Sequence, residues 1–198
     1  MADRGPDFRI RDATSSDAGP LAQLVNFAGE GLPLYLWEGM AGPGETGWNV
    51  GRSRAARGEG SFSFRNAVVA DAGGKVAACL IGYAIPDEPE PIADDMPPMF
   101  VPLQELENLA PGTWYVNVLA AFPEFRGQGL GTRLLGVAEE TARDAGCRGL
   151  SIIVADANTG ARRLYKRCGY TEQATRPMVK ERWNSEAENW VLLTKPLS

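Results

Sequence analysis

The chain has 198 residues, of which 44% are apolar, 23% charged and 9% aromatic, and its formal net charge is -5. These proportions fit a single globular domain over residues 1–198 and exclude an extensively disordered chain. No apolar run reaches the roughly 18 residues of a membrane span, and the first residues lack the apolar core of a signal peptide, so we expect a cytoplasmic protein.

Histidine is absent from the chain. Its absence excludes Ser-His-Asp and Cys-His catalysis, HExxH metal sites and proton transfer by imidazole. The three cysteines, Cys79, Cys147 and Cys168, lie far apart without CxxC spacing. We therefore expect small buried residues at these positions, no disulfide framework and no metal site.

The first part of the chain predicts a strand, a helix and a hairpin. Residues 8–11 alternate as in a strand, and apolar residues then recur at helical spacing from Pro20 to Ala28. Apolar runs at 66–70 and 76–84 flank an Asp-Ala-Gly-Gly turn, which predicts a β-hairpin. Between helix and hairpin, the glycine-rich residues 29–65 include Tyr35, Trp37 and Trp48, whose side chains fit either the core or the wall of an acceptor pocket.

An acidic segment, four further strands and two helices follow. Residues 86–112 contain seven prolines and seven carboxylates, with a helical stretch near 102–109, and we interpret them as an insertion. No Lys or Arg occurs among residues 76–125, so a cationic partner is favoured there, although a solvated surface loop fits equally well. The remaining elements expected are a strand at 113–121, a helix from Leu130 to Gly146, a strand at 150–154, a helix starting at Asn158, and strands near 170–173 and 190–194.

A glycine-rich loop joins the strand at 113–121 to the following helix. Its sequence, RGQGLGT, runs from Arg126 to Thr132. Glycines at alternate positions leave backbone N–H groups unobstructed at the positive end of a helix, and this arrangement suits an anion. The spacing is not that of the GxGxxG dinucleotide motif, and no GxxxxGK[ST] motif occurs.

The surroundings of this loop resemble motif A of the GNAT family of N-acetyltransferases. Arg126, Gly129 and Gly131 fill the family pattern (Q/R)-x-x-G-x-(G/A). The segment from Asn158 to Tyr170 resembles motif B of the same family. The resemblance is close over about 113–171 and implies an α/β fold with a mixed, mostly antiparallel twisted sheet flanked by helices, whose central strands splay at the cofactor site.

The resemblance also implies roles for individual residues. The acetyl-CoA pyrophosphate would bind the backbone of the loop, and the pantetheine arm would pair with the strand before it and with the Asn158 amide. Tyr165 would protonate the departing thiolate, which is consistent with the orientation, carbonyl polarisation and acid catalysis that acyl transfer to an amine needs. The implied cofactor-binding residues are Leu119, Ala121, Arg126, Gly127, Gln128, Gly129, Leu130, Gly131, Thr132 and Asn158.

The sequence departs from the family at the general base. Some members carry a glutamate in columns that Asn117 and Ile153 fill here, and neither side chain accepts a proton. The alternatives are Asp156, an acid of the 87–107 segment, or a water chain to solvent.

We therefore predict an acetyl-CoA-dependent N-acetyltransferase that acts on a small-molecule amine or on a peptide or protein amine. The rival interpretation is a catalytically silent acyl-CoA-binding or sensory domain. No nucleic-acid partner is expected at a sequence pI near 4.9, and no membrane partner. The sequence does not decide whether the chain forms a homodimer. It does not identify the acceptor either, because the family pattern gives no residue-level guide over residues 29–60 and 86–112, which we expect to build the acceptor pocket.

Overall fold

The computed structural model describes residues 7–197. The described chain falls into two units, residues 7–82 with Val118–Leu134, and Tyr83–Asn117 with residues 135–197. The expectation that the first residues lack a signal-peptide core rests partly on residues 1–6. These residues lie outside the described part of the chain. The elements in chain order are β1 (Arg9–Asp12), α1 (Ala18–Ala28), α2 (Leu32–Met40), α3 (Gly47–Ala56), β2 (Ala67–Ala72), β3 (Lys75–Ala84), α4 (Val101–Glu107), β4 (Thr113–Ala121), α5 (Leu130–Asp144), β5 (Gly149–Ala155), α6 (Thr159–Arg167), β6 (Thr171–Pro177) and β7 (Asn189–Pro196).

The described strands form a seven-stranded sheet in the order β1-β2-β3-β4-β5-β7-β6. Neighbouring strands are antiparallel at β1–β2, β2–β3, β5–β7 and β6–β7, whereas β4 and β5 are parallel. The β4–β5 register runs from Thr113 opposite Gly149 to Val116 opposite Ile152, which is less than half of β4. The expected mixed, mostly antiparallel α/β fold is confirmed.

In the first unit, α1 and the β1–β3 strands enclose an apolar core. Leu21, Leu24 and Val69 are fully buried there. The hairpin turn between β2 and β3 is made by Gly73 and Gly74, both at positive φ, as a two-residue turn of this hand requires. The predicted strand, helix and hairpin are therefore all present.

The glycine-rich stretch before the hairpin contains two helices, α2 and α3. Trp37 of α2 is buried, stacks on Phe62 at 5.7 Å between ring centroids, and lies 6.3 Å from the Trp48 ring. Trp37 therefore belongs to the core, while Tyr35 and Trp48 are half-buried.

In the second unit, α4 packs against β5, β6 and β7. Leu106 of α4 and Leu150, Leu192 and Leu193 of the strands are buried. The acidic insertion thus contains an ordered helix with its own buried side chain.

The cysteine prediction is correct for one position of three. Cys79 is buried, but Cys147 and Cys168, which follow the last residues of α5 and α6, are only half-buried, and all three are free thiols. Within residues 7–197, no helix is long and apolar enough to cross a membrane.

Candidate functional site

The loop before α5 has the backbone of an anion cradle. Gly127 and Gly129 have φ of 73° and 78°, and a Cβ at either position would meet no atom within 4 Å. Packing therefore does not explain these glycines. Positive φ explains them, because it turns the loop so that its N–H groups can face an open space.

The start of α5 supplies further donors in the same loop. The first hydrogen bond of the helix runs from the Arg133 N–H to the Gly129 carbonyl at 3.1 Å. The N–H groups of Leu130, Gly131 and Thr132 precede this bond and have no partner within the helix. They lie at the positive end of the helix dipole, so this segment suits a phosphate.

Side chains of the loop brace its backbone within the first unit. Arg126 Nε donates to the Ala121 carbonyl at 3.2 Å, and Gln128 Nε2 donates to the Glu124 carbonyl at 3.2 Å. Arg133 donates to the Phe8 carbonyl at 3.0 Å. The predicted residues from Ala121 to Thr132 therefore share one fixed segment.

The other predicted residues, Asn158 and Tyr165, lie on α6 in the second unit. Asn158 caps the helix, because its Oδ1 accepts from the Ala161 N–H at 3.1 Å. This bond uses only the amide oxygen and leaves the Nδ2 group as a donor. The capping role considered for Asn158 is thus present and is compatible with ligand binding.

Tyr165 is buried, and burial raises its pKa above that of an ordinary tyrosine. Its ring centroid lies 6.0 Å from that of Tyr170, whose hydroxyl is buried without a hydrogen-bond partner among residues 7–197. A protonated phenol at Tyr165 is the form that a general acid needs.

The acids considered as general base differ in their surroundings. Burial acts to raise the pKa of Asp156, but hydrogen bonds from the Asn189 side chain at 2.8 Å and the Glu188 N–H at 3.0 Å outweigh it, so the pKa is lowered. These bonds make Asp156 a poor base and give it a structural role in the second unit.

In the described chain, no group of three or more Asp, Glu or Cys side chains forms a metal-binding cluster.

Comparison with known proteins identifies the family. The sequence pattern of the acetyltransferase (GNAT) family matches residues 39–170, about two thirds of the chain. The chain belongs to the GNAT family of acetyltransferases.

Individual relatives agree with this assignment. The thialysine N-ε-acetyltransferase of Bos taurus is 34% identical over 76 residues, which span 38% of this chain and 38% of the bovine protein. A crystal structure described as that of an acetyltransferase shares the fold with a TM-score of 0.69 at 24% identity, over 96% of this chain and 100% of that chain. A GNAT family acetyltransferase from Elizabethkingia anophelis with acetyl-CoA bound has a TM-score of 0.50 at 19% identity, over 67% of this chain and 75% of that chain.

One acid of the insertion stands out in the structure. Glu107, at the end of α4, is half-buried, and burial together with the charge of Glu90 raises its pKa to about 7. The sequence left the acids of 87–107 equivalent. Only the three-dimensional surroundings distinguish Glu107, because its burial depends on tertiary contacts that helical spacing over seven residues does not reveal.

Proposed function

We propose that this protein transfers the acetyl group of acetyl-CoA directly to a primary amine. The observation that carries the proposal is the loop of Gly127 and Gly129, whose positive φ and open Cβ directions accompany the family's motif A at the start of α5. A small anionic group fits this backbone because no side chain fills it.

Acetyl-CoA is the substrate that this loop would hold by its pyrophosphate, through the N–H groups from Gly127 to Thr132. The pantetheine arm would pair with the β4 backbone at Leu119 and Ala121. The short β4–β5 register, which ends at Val116 and Ile152, supports this use of the later part of β4. The Nδ2 group of Asn158 would bind the same arm.

Direct transfer needs no covalent enzyme intermediate. The amine nitrogen attacks the thioester carbonyl, the carbon–sulfur bond breaks, and the sulfur takes a proton from Tyr165. The raised pKa of Tyr165 keeps that proton in place until the thiolate forms.

The name of one relative and the charge of this chain support the acceptor class. The bovine relative is named for an amine of an amino acid, and the acidic stretch 76–125 favours a cationic amine, whether a small molecule or a peptide or protein side chain. We expect no nucleic-acid partner, and we place the protein in the cytoplasm.

Binding of acetyl-CoA is tested by thermal unfolding. A ligand that binds only the folded state increases the free energy of unfolding, by about 2.7 kcal/mol at a concentration of 100 Kd, and therefore raises the Tm. We expect a Tm increase for the native protein and none for Gly129→Val, because the valine side chain would occupy the space of the phosphate.

The matched control is Gly44→Val. Gly44 has φ of 80°, nearly that of Gly129, and nothing lies within 4 Å of its Cβ direction. It should carry a similar backbone strain and keep the response to acetyl-CoA. A full response in folded Gly129→Val protein would make the loop purely structural.

Thiol release from acetyl-CoA in the presence of a panel of primary amines then tests the transfer. Amine-dependent release supports the acetyltransferase. Tight binding of acetyl-CoA without release by any amine would favour the silent acyl-CoA-binding domain.

A further inference from the structure

A cavity of about 510 Å³ lies beside α4 in the second unit. The end of β3, the segment that follows it, and α4 form its walls. Asn108 fixes one wall, because its side chain accepts from the Glu90 N–H at 3.0 Å and donates to the Glu90 carbonyl at 2.8 Å. The polar side chains that line the cavity are Tyr83, Glu88, Glu90, Gln104, Glu107 and Asn108.

The cavity carries negative charge that no neighbouring cation neutralises. Two carboxylates of the insertion form ion pairs outside it, Asp87 with Arg148 and Glu105 with Arg176. Within residues 7–197, the three carboxylates that line the cavity, Glu88, Glu90 and Glu107, form no ion pair, and no Lys or Arg lines it.

Tyrosines connect Glu107 to the catalytic neighbourhood. The rings of Tyr83 and Tyr115 meet edge to face at 5.7 Å, and the charge of Glu107 adds to burial in raising the pKa of both. Tyr115, which is 5% exposed, also interacts electrostatically with Tyr165.

The charged side chains on the described strands that pack against α4 form ion pairs of their own. The helix packs against β5, β6 and β7, and β5 has no charged residue. Arg176 and Glu172 of β6 pair with Glu105 and Arg162, and Lys195 of β7 pairs with Glu139. Glu90 is thus the charge that acts on Glu107.

We propose that this cavity receives an alkylammonium group of the acceptor and that Glu107 takes its proton, as the general base of the transfer. The inference rests on the proposed function. An ammonium ion suits the cavity because the carboxylates that line it attract a cation, and the ring of Tyr83 lines it as well.

The protons balance over the reaction. Glu107 takes one proton from the ammonium, and the neutral amine forms the carbon–nitrogen bond as the carbon–sulfur bond breaks. Tyr165 gives its proton to sulfur and recovers one from the new amide nitrogen, so the products are the amide, the thiol and the proton held on Glu107, which passes to solvent.

The kinetic test compares pH profiles of kcat/KM for the native protein, Glu107→Gln, Glu90→Gln and Glu105→Gln. The native profile should bend near pH 7, where Glu107 loses its proton. Glu107→Gln should lose this bend and about 10²-fold in kcat/KM at pH 7, with an unchanged Tm response to acetyl-CoA. Glu90→Gln removes a like charge and should move the bend to lower pH, whereas Glu105→Gln, on the same helix, should leave it in place.

A second readout does not need turnover. Carbon-13 NMR of labelled glutamate, assigned with Glu107→Gln, follows the titration of Glu107 with and without n-butylammonium. The cation should lower the pKa of Glu107, and n-butanol should not.

Each outcome decides one of the two proposals. An unchanged pH profile in Glu107→Gln, or a Glu107 titration that n-butylammonium does not shift, overturns this inference while amine acetylation can still stand. A shifted titration in a protein that acetylates no amine leaves the cation site and removes both the base role and the proposed function.

Discussion

Tyr165 and Tyr170 are neighbouring buried phenols whose hydroxyls differ in what they can do. Both have raised pKa values, chiefly because of burial. The Tyr170 hydroxyl is buried and has no hydrogen-bond partner in the part of the chain that the structure describes, so it contributes a desolvation cost without a bond. Tyr165 occupies the motif position that the family resemblance assigns to acid catalysis.

This pair offers a matched test of acid catalysis. Tyr165→Phe keeps the ring but removes the proton, so kcat should fall by about 10²–10⁴ with little change in acetyl-CoA affinity. Tyr170→Phe should keep its turnover and show an equal or higher Tm, because only the unpartnered hydroxyl is lost. Steady-state kinetics of both variants make the comparison, and near-normal turnover of Tyr165→Phe would assign that tyrosine to the core alone.

At the scale of elements, α2 and α3 depend on close contact at one glycine. A Cβ on Gly51 of α3 would lie 2.5 Å from Cε3 of Trp37, a buried ring held by Phe62 and Trp48. Gly136 of α5 is the opposite case, because it is exposed and its Cβ direction is open.

Alanine at these two helical glycines should therefore have opposite effects. Gly136→Ala should stabilise the protein by about 0.5–1 kcal/mol through helix propensity. Gly51→Ala should destabilise it by about 1–3 kcal/mol, because the rigid indole must move in a packed core. Urea denaturation measures both, and a stabilised Gly51→Ala protein would contradict the close α2–α3 contact.

At the scale of the whole molecule, the acidic stretch 76–125 lacks any cation of its own. Three of its carboxylates form ion pairs with residues outside the stretch. These pairs are Glu124 with Lys75, Asp87 with Arg148 and Glu105 with Arg176. Asp94 and Asp95 are exposed and form no ion pair in the described chain. Charges of this kind act over a distance and are screened by salt.

We therefore expect kcat/KM for a cationic amine to fall by about 3–10-fold when salt is raised from low to physiological strength, as the screening length shortens to about 8 Å. The double variant Asp94→Asn with Asp95→Asn should weaken this dependence and leave acetyl-CoA binding unchanged. An aromatic amine, neutral near pH 7, serves as the control acceptor. Equal salt dependence for neutral and cationic amines would leave the acidic stretch as ordinary surface.

Much of this architecture could be predicted from local patterns. The hairpin was predictable because Gly73 and Gly74 satisfy a turn that few other residues tolerate, and β4 and α5 because a strand, a glycine loop and an amphipathic helix follow one another. The bounds of α2 and α3 were not, because glycine and aromatic residues there obey tertiary packing rather than helical spacing.

The residues of the candidate site also divide into those that the sequence predicted and those that it did not. The resemblance to motif B implied roles for Asn158 and Tyr165, and the sequence also allowed the capping role that Asn158 has. The surroundings of Glu107 lay beyond prediction, because they combine α4, β3 and β4, which are separated in sequence. Burial of a carboxylate is a property of the assembled fold.

Hydrogen bonds and ion pairs connect the 86–112 insertion to the residues around it, and they limit how the insertion can be exchanged in protein engineering. Its base is closed by hydrogen bonds from the Gly112 N–H to the Pro86 carbonyl at 2.8 Å and from the Ile85 N–H to the Thr113 carbonyl at 3.0 Å. Exchanging the segment for that of another family member would leave Arg148 and Arg176 without their carboxylates and uncover the surface on which Leu106 is buried. A chimera that exchanges this insertion must therefore carry both arginines and the insertion together as one unit.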